Sequence, residues 1–445
     1  MSALVAVPRP PAELLLRGAH VLDPNAGIDG AHDVLVRDGE IAEIGAPASL
    51  QAPAGAQVVE AEGKHLFPGF VDPHVHLRSP GGEHKEDLET GTRAAAAGGY
   101  CAVVAMPNTD PVLDHPALLR GLLLAAGRDA RIPVGFMAAI SIGLAGERLT
   151  AMSELREAGA VGFTDDGKPV VSAGLLRHAL RYQLMCGGVL ALHEEDPALS
   201  GAGVMHEGSI SVELGLAGIP SISESTMIAR DALIAGHENG RVHFQHLSAR
   251  SSVDALAAAR ARGVRASGEV TPHHLLLTDE QVRTLDTNFK MNPPLRTEDD
   301  RAALIDALRD GTIECIATDH APHARDEKDV PFEQAPMGTT GLESSFAVLH
   351  TELVLPGVIG LALLLERLTA GARLLELEVP AIAVGRSANL ALFDLEARWT
   401  IGEAGYESRS SNCCFAGREV RGRNLLTLAD GAVAYRERAF ALSAA

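Results

Sequence analysis

Between about residues 66 and 380, the chain alternates short apolar runs typical of buried β-strands with longer stretches typical of helices. Such an alternation implies parallel strands joined by right-handed crossovers. Counting an opening strand near Phe67, eight βα-like units follow one another, which favours a (β/α)8 TIM-type barrel. An open doubly wound sheet is less favoured, because no Gly-x-Gly-x-x-Gly follows the first strand. The later helix–strand pairs are Asp87–Ala97 and Tyr100–Met106, Pro116–Gly127 and Pro133–Ile140, Met152–Ala158 and Val161–Phe163, Leu175–Met185 and Val189–His193, Ser225–Ala235 and Val242–Leu247, Val253–Ala261 and Arg265–Val270, and Asp299–Leu308 and Ile313–Thr318.

Both ends of the chain have a different pattern, in which short β runs are separated by turn residues such as Asp-Gly and Asp-Pro-Asn. Two β segments that flank a different middle predict one small β-sandwich domain built from both termini. We therefore divide the chain into residues 1–65 and 381–445, which form the small domain, and residues 66–380, which form the barrel. The terminal runs are Leu14–Arg17, Asp33–Val36, Ile41–Ile44, Val58–Ala61, Asn389–Asp394 and Val433–Tyr435.

Composition excludes several classes of partner. The formal charge of −20 argues against nucleic acid and against anionic membrane surfaces, because both require a basic surface.

The five cysteines are odd in number and lack framework spacing, which predicts reduced thiols. Residues 1–11 do not have the pattern of a signal or transit peptide, and the apolar run Leu361–Leu365 is too short to span a bilayer. We expect a soluble, cytoplasmic protein.

Histidine and aspartate side chains follow several of the predicted strands. His74 and His76 are two residues apart at the end of the first strand, so both project to one face, where two imidazoles can bind one divalent metal. In a barrel, the groups that react lie at the carboxyl ends of the strands. This donor chemistry, without cysteine, predicts a catalytic site for a borderline divalent ion, zinc first. The other strand-end residues are Asn108, Asp165, Asp166, His193, His246, Asp319, His320 and His323.

The motifs around these residues resemble the cyclic amidohydrolases of the metal-dependent hydrolase superfamily, and within them the bacterial type I dihydroorotases. The resemblance runs from about residue 14 to residue 430. The segments that carry it are His74–His76, Lys85–Gly91, Ala105–Thr109, Phe163–Gly167, His193, His246, Val270–Leu275, Lys290–Arg296 and Ala317–His323.

The resemblance implies a role for each matched position. It implies zinc, one or two ions per subunit, with Asp166 as the carboxylate that can bridge two metals and Asp319 as the metal-associated general base and acid. The metal ligands implied are His74, His76, Asp166, His193, His246 and Asp319. The substrate contacts implied are His76, Arg78, Asn108, Asn292 and His323, together with main-chain contacts at Met337 and Gly338.

Chemical reasoning supports two of these roles without the resemblance. Ring-amide hydrolysis needs a carboxylate that accepts a proton from water and returns it to the leaving nitrogen, and Asp319 follows the eighth strand. A substrate carboxylate is held best by the planar fork of an arginine, and Arg78 directly follows the histidine pair.

Other polar residues receive a structural interpretation. His65, His84, His115, His178 and His237 are expected on the surface or on helices, His243 is expected to be structural, and His273 and His274 are expected to pack. Asp165 is expected to cap a helix or support Asp166. Glu194 stands where the family commonly has cysteine, and we expect it to add a charge beside the site. Residues 324–336 form either a closing lid or a solvated loop.

The resemblance implies dihydroorotase activity, the reversible interconversion of N-carbamoyl-L-aspartate and L-dihydroorotate in pyrimidine biosynthesis. Two alternatives stay open. One is another cyclic amidohydrolase, an allantoinase or hydantoinase, although these usually have lysine at the bridging position. The other is an inactive scaffold for aspartate carbamoyltransferase, although a scaffold is expected to lose metal ligands. We also expect a homodimer, and a complex with the transferase is compatible with an active enzyme.

Overall fold

The computed structural model describes residues 4–440 and 443–444 of the 445-residue chain. Its first five strands belong to a sheet formed by the chain termini. Strand β1 pairs with β2, β4 and β5. These strands are β1 (Leu14–Asp23), β2 (Ile28–Arg37), β3 (Glu40–Gly45), β4 (Gln57–Glu60) and β5 (His65–Pro68).

Eight parallel strands then form the predicted barrel, in chain order around the sheet. The first and last strands are joined by a parallel bridge between Val75 and His320, with a hydrogen bond of 2.9 Å from the His76 N–H to the His320 carbonyl oxygen. The predicted (β/α)8 fold is therefore confirmed. The strands are β6 (Phe70–Val75), β7 (Tyr100–Ala105), β8 (Val134–Ala138), β9 (Gly162–Thr164), β10 (Val189–Leu192) and, after a short pair β11 (Met205–His206) and β12 (Gly218–Ile219), β13 (Arg241–Phe244), β14 (Arg265–Val270) and β15 (Cys315–Ile316).

Helices connect the barrel strands, and local capping explains where several of them begin. Before the helix Leu88–Ala97, the Asp87 side chain accepts a hydrogen bond from the Thr90 N–H, and the Thr90 side chain accepts one from the Asp87 N–H. Thr297 and Asp300 make the same reciprocal pair at the helix Glu298–Asp310. None of the helices in the described residues is both long and apolar enough to cross a membrane. The helices are α1 (Leu88–Ala97), α2 (Pro116–Asp129), α3 (Met152–Ala158), α4 (Ala173–Cys186), α5 (Pro197–Ser200), α6 (Ser209–Leu214), α7 (Ile222–Glu238), α8 (Arg250–Ala261), α9 (Pro272–Leu276), α10 (Glu298–Asp310), α11 (Arg325–Lys328), α12 (Ser345–Leu349), α13 (Leu361–Thr369) and α14 (Gly371–Leu374).

The C-terminal strands complete the sheet that the N-terminus began. These strands are β16 (Leu390–Thr400), β17 (Glu419–Ala429), β18 (Ala432–Arg436) and β19 (Ser443–Ala444). Strand β5 pairs antiparallel with β16, in register from His65 opposite Phe393 to Pro68 opposite Leu390. The resulting mixed sheet has nine strands and an aliphatic core of its own. The prediction of one small β domain built from both termini is thus confirmed.

Four phenylalanines join the two parts of the molecule. Phe67 lies on β5, Phe70 on β6, Phe346 on α12 and Phe393 on β16, and each is at most 2% exposed. The ring centroid of Phe346 lies 4.3 Å from that of Phe393, 5.7 Å from that of Phe70 and 5.8 Å from that of Phe67. Because one ring contacts both the terminal sheet and the barrel, Phe346 lies at the centre of their shared core.

Replacing Phe346 with alanine should lower the free energy of unfolding by about 3–5 kcal/mol, because it removes a large buried ring and leaves a cavity. Urea unfolding of the wild type and the Phe346→Ala variant measures the change. Leu124→Ala is the control, since Leu124 is 77% exposed on α2 and should change stability by less than about 0.5 kcal/mol. Similar losses for both variants would contradict this account of the shared core.

Candidate active site

The six histidine and aspartate residues named as metal ligands lie together at the carboxyl ends of the barrel strands. His74 is within β6, and the other five follow strands β6, β9, β10, β13 and β15. All six are buried, with at most 8% of each residue exposed. Parallel strands end at the same side of a barrel, so residues far apart in sequence meet there. The set consists of His74, His76, Asp166, His193, His246 and Asp319.

Asp166 lies at the centre of this set. Its Oδ1 atom lies 3.4 Å from His74 Nε2, 3.7 Å from His246 Nε2 and 3.9 Å from His193 Nδ1. Its Oδ2 atom lies 3.5 Å from His76 Nε2. The two oxygens of one carboxylate therefore face different imidazoles, which is the arrangement that a bridging ligand needs.

Asp319 follows the last barrel strand, and its carboxylate faces His74 and His76 at the end of the first barrel strand. Its Oδ1 atom is 3.0 Å from His76 Nε2 and 3.5 Å from His74 Nε2. Three residues here have backbone φ angles in the left-handed region, which residues with a Cβ rarely adopt. The angles are 47° at Asp319, 33° at His246 and 54° at Arg78. Strained backbone of this kind is concentrated at functional sites, where the surrounding structure holds it in place.

The charges of the site stabilise one another. Burial alone would lower the pKa of His74, but the carboxylates of Asp166, Glu269 and Asp319 outweigh burial and raise this pKa well above 6.5. Burial opposes ionisation of Asp166 and Asp319, yet the neighbouring imidazoles hold the pKa of each carboxyl well below its usual range. Both aspartates are therefore carboxylates at neutral pH.

The donor set fits a divalent metal. His74 Nε2 is buried and has no hydrogen-bond partner among the described residues, although it points at two carboxylates. Buried polar atoms rarely lack a partner, so this nitrogen is suited to bind a metal ion. Three groups of three residues offer ligand atoms that lie within 4.8 Å of one another: His74, His76 and Asp166; His74, His246 and Asp319; and Asp166, His193 and His246. Imidazole and carboxylate together are ligands for a borderline metal ion.

Polar residues around the set hold its members in place. Asn108 links two of them, because its Oδ1 lies 2.9 Å from His76 Nδ1 and its Nδ2 donates to Asp166 Oδ2 at 3.2 Å. Glu195 lies beside a third, with Oε2 3.4 Å from His193 Nε2, and accepts a hydrogen bond of 2.7 Å from Asn292. Asn108 and Asn292 thus lie beside the metal set and contact its members or their neighbours, while their contact with a substrate stays a prediction.

Arg78 and His323 lie next to each other. The Arg78 Nε–H donates to the Pro322 carbonyl oxygen at 3.1 Å, and Arg78 Nη2 lies 3.5 Å from His323 Nε2. Burial and the nearby guanidinium lower the pKa of His323 to about 3, so this imidazole is neutral. The guanidinium is therefore the cationic group of this pair.

The main-chain groups of Met337 and Gly338 are largely occupied. The Met337 carbonyl oxygen lies 2.9 Å from His323 Nε2, and the Gly338 N–H donates to the Lys290 carbonyl oxygen at 2.8 Å. The Gly338 carbonyl oxygen accepts a hydrogen bond of 3.2 Å from Asn412. A substrate contact at these groups would have to share or displace these bonds, and it stays a prediction.

Two acidic residues next to the site point away from it. Asp165 accepts from the Ser141 N–H at 2.9 Å and also from the Ser141 hydroxyl, so it holds the loop after β8. Glu194 lies in a buried cluster with Asp231, and burial, followed by the charge of Asp231, raises the pKa of Glu194 well above 4.5. Its surroundings therefore favour the neutral form of Glu194, and the charge that we expected beside the site stays a prediction.

The remaining histidines have surroundings that match a structural interpretation. His274 contacts the Thr271 hydroxyl and the Pro293 carbonyl oxygen, at 2.9 and 3.0 Å, and His273 is buried beside it. His115 caps α2 by accepting from the Ala117 N–H. His84, His178 and His237 are exposed, and His65 is half-buried on β5.

The segment from residue 324 to residue 336 is packed against the protein. Lys290 Nζ donates to the Glu333 carbonyl oxygen at 2.9 Å, and Lys328 Nζ donates to the carbonyl oxygens of Thr287 and Pro336 at 2.9 and 2.8 Å. Burial, together with the charge of Lys290, lowers the pKa of Lys328 to about 7. These contacts distinguish the segment from a merely solvated loop, whereas its movement as a lid stays a prediction.

Two residues of the site were missed in the sequence. Glu269, at the end of β14, lies 2.6 Å from His74 Nδ1, and Glu195 was left without a role. Imidazole contacts from His74 and His243 outweigh burial and lower the pKa of Glu269 to about 2. The available signal for Glu269 was a charged residue near the carboxyl end of a predicted strand, in the run Ala266-Ser267-Gly268-Glu269-Val270. No comparable pattern marks Glu195.

Comparisons with known proteins identify the family of this chain. A family model described as dihydro-orotase-like matches residues 63–252. The dihydroorotase of Pelotomaculum thermopropionicum is 44% identical over 427 residues, which cover 96% of this chain and 99% of that protein. The dihydroorotase of Pelobacter propionicus is 46% identical over 428 residues, which cover 95% of this chain and 99% of that protein.

Solved structures with the same fold include hydantoinases. L-hydantoinase from Arthrobacter aurescens superposes with a TM-score of 0.83 at 23% identity, covering 95% of this chain and 96% of that one. D-hydantoinase from Thermus sp. superposes with a TM-score of 0.81 at 27% identity, covering 97% of both chains. The first of these similarities concerns the fold alone, whereas identities above 40% over nearly the whole chain decide the family. The chain belongs to the dihydroorotase family.

Proposed function

We propose that this chain catalyses the reversible interconversion of N-carbamoyl-L-aspartate and L-dihydroorotate, with zinc in the site described above. One observation carries the proposal: six buried imidazoles and carboxylates converge at the carboxyl ends of the barrel strands, and the charges of Asp166 and Asp319 act on the Arg78 guanidinium. A metal-binding set next to a guanidinium suits a substrate that has both a ring amide and a carboxylate. The relatives that are named dihydroorotases support the same reaction.

His74, His76, Asp166, His193, His246 and Asp319 would hold the metal, one or two ions per subunit. Zinc in this set would supply a Lewis acid that polarises the ring carbonyl and makes water a nucleophile near neutral pH. The carboxylate of Asp166, whose two oxygens face different histidines, is suited to serve two ions.

Asp319 would act as the general base and acid. Its carboxylate is ionised because the neighbouring imidazoles lower its pKa, so it can accept a proton from the attacking water. It then delivers that proton to the leaving ring nitrogen. In the biosynthetic direction the sequence is reversed, and the substrate carboxylate loses an oxygen as water. One residue thus moves the proton in both directions.

Arg78 would hold the substrate carboxylate that does not react. Its planar fork can donate two parallel hydrogen bonds to a carboxylate, which a lysine cannot do. Asn108, Asn292 and the neutral His323 would orient the ring, His76 would contact the substrate as well as the metal, and main-chain contacts are proposed at Met337 and Gly338.

Two other functions are less well supported. Hydantoinases and allantoinases usually have a lysine at the bridging position, where this chain has Asp166. An inactive scaffold for aspartate carbamoyltransferase is expected to lose metal ligands, whereas all six are brought together here. We further propose that the protein forms a homodimer. A cytoplasmic location is proposed as well, and five free thiols among the described residues are consistent with it. A complex between the active enzyme and aspartate carbamoyltransferase is compatible with this function.

The purified protein should contain zinc at about one to two equivalents per chain. Elemental analysis measures the content, and prolonged chelation followed by readdition of zinc should abolish and then restore activity, because the metal supplies the Lewis acid. Full activity in protein that contains no divalent metal would contradict the proposed metal requirement.

Arg78→Lys should reduce kcat/KM for dihydroorotate by roughly 10²-fold, or about 2–3 kcal/mol, because the positive charge stays but the planar fork is lost. Steady-state kinetics on dihydroorotate and on dihydrouracil, which has no carboxylate, measure the difference. Dihydrouracil turnover, where detectable, should change far less. Equal losses on both substrates would assign a structural role to Arg78.

Asp319→Asn should slow both reaction directions by about 10⁴-fold or more, because the amide cannot transfer the proton and general acid–base transfer typically contributes about 10²–10⁴-fold. Rates are compared with wild type across pH at matched zinc occupancy. In the wild type, ring opening should be faster at higher pH and ring closure at lower pH, since the two directions need opposite protonation states. A variant that retains more than about a tenth of the wild-type rate would exclude Asp319 from the chemistry. A wild type inactive in both directions while loaded with zinc would favour the scaffold.

A further inference from the structure

We propose that Glu269, supported by His243, is a positioning residue that holds His74 in the tautomer and orientation needed to bind a divalent metal through Nε2. The inference rests on the proposed function only in taking His74 as a metal ligand. It adds a residue pair that lies outside the metal set and outside the proposed substrate contacts.

Glu269 connects two buried histidines inside the barrel. Its carboxylate is at the end of β14, and the residue is 1% exposed. Oε1 lies 2.6 Å from His74 Nδ1, and Oε2 lies 3.0 Å from His243 Nε2. Oε1 also accepts a hydrogen bond of 3.3 Å from the backbone N–H of His246. Each oxygen thus has an imidazole partner, and these contacts fix the orientation of the carboxylate.

In the neutral ring that a metal ligand requires, the contact with Glu269 decides which nitrogen of His74 carries the proton. A carboxylate between two imidazoles accepts from both, so Nδ1 of His74 is the N–H donor. Gln245 Nε2 lies 3.2 Å from the same nitrogen, but the Gln245 Oε1 atom accepts from the Thr164 hydroxyl at 3.0 Å, so its NH2 group faces His74 and cannot accept the proton. Glu269 is therefore the acceptor for Nδ1.

The opposite nitrogen of the ring is then available to a metal. With Nδ1 as the donor, His74 Nε2 can present its lone pair to an ion, and this atom has no hydrogen-bond partner among the residues that the structure describes. It faces Asp166 and Asp319, at 3.4 and 3.5 Å. Metal-ligating histidines generally donate their other N–H to a carboxylate or carbonyl, which orients the ring and raises its basicity.

His243 contacts Oε2 of Glu269, the carboxylate oxygen that does not face His74. It is 1% exposed, and its Nδ1 lies 2.9 Å from the Ser267 hydroxyl. The contacts therefore run from Ser267 through His243 and Glu269 to His74. His243, Glu269 and Cys315 also lie close enough to form a metal group of their own, but both carboxylate oxygens already contact histidines, so we assign the group to positioning.

The test measures metal affinity directly. Glu269→Gln keeps the size of the side chain and an acceptor for His74, but removes the negative charge. Apoprotein is titrated with Zn²⁺ and with Co²⁺ in competition with a chromophoric chelator. We expect about 10- to 100-fold weaker binding of both ions, together with a changed visible spectrum of the Co²⁺ protein, because loss of such a partner costs about that much affinity.

Two further variants complete the design. His243→Phe keeps a ring but cannot donate to Glu269, and should weaken binding by a smaller factor, about 3- to 10-fold, because His74 keeps its acceptor. Asp33→Asn is the matched control: Asp33 is a fully buried carboxylate in the terminal sheet that accepts from the N–H groups of Gly18 and Leu50, at 2.8 and 3.1 Å. It should bind metal like the wild type.

The outcomes separate this inference from the proposed function. A wild type that binds neither ion would overturn the metal-dependent function itself. Wild-type affinity and an unchanged Co²⁺ spectrum in Glu269→Gln would overturn the positioning role while leaving the function in place. An equal loss in Asp33→Asn would also overturn it, since the effect would then come from any buried charge. Should Glu269→Gln fail to fold, unchanged affinity in His243→Phe overturns the inference.

Discussion

The hydrogen bonds that close the barrel between its first and last strands are the constraint on which the site depends. Asp72, which is fully buried, accepts from the Thr318 N–H at 3.2 Å and from the Thr318 hydroxyl at 2.5 Å, and also from the His74 N–H at 3.1 Å. One side chain thus fixes the backbone on both sides of the closure. Because His74 and Asp319 each lie within two residues of these contacts, the hydrogen bonds that close the barrel also position both site residues.

This arrangement concentrates charge where water is excluded. Asp166, Asp319 and Glu269 are three carboxylates, each at most 8% exposed, among four metal-set histidines. A buried charge is costly unless it is paired and hydrogen-bonded. The imidazoles offset part of this cost, and a divalent cation would offset more, since ligand binding to the native state stabilises it. Folding and metal binding are therefore expected to be linked in this protein.

Much of the site followed from sequence because two rules are local. Period two placed His74 and His76 on one face, and the strand-end rule brought Asp166, His193 and His246 to the same edge. The partners of these residues depend on tertiary contacts that no local rule contains. Glu269 meets His74 across 195 positions, and its role depends on the side-chain position of His243.

The fold was predictable because its pattern is also local. The parts of the fold that the sequence did not predict depend on long-range contacts. Alternating helices and strands predict a barrel, because each βα unit is a local pattern. The pairing of β5 with β16 joins segments more than 300 positions apart, so sequence indicated that the two termini share a domain but not which strands meet. The raised pKa of Glu194 likewise depends on burial beside Asp231, which the strand pattern does not reveal.

The contribution of the C-terminal segment to the site follows from the same non-local pairing. Asn412 accepts from the His323 N–H at 3.0 Å and donates to the carbonyl oxygens of Ala321 and Gly338, at 3.1 and 3.2 Å. Glu86 contacts both the Ser408 hydroxyl and, at 3.3 Å, His320 Nε2. The loop that follows Asp319 is thus held by residues that precede strand β17 of the terminal sheet. The terminal segments therefore not only enlarge the core but also fix the backbone of the loop that carries Asp319, the proposed base, and His323, which lies beside Arg78.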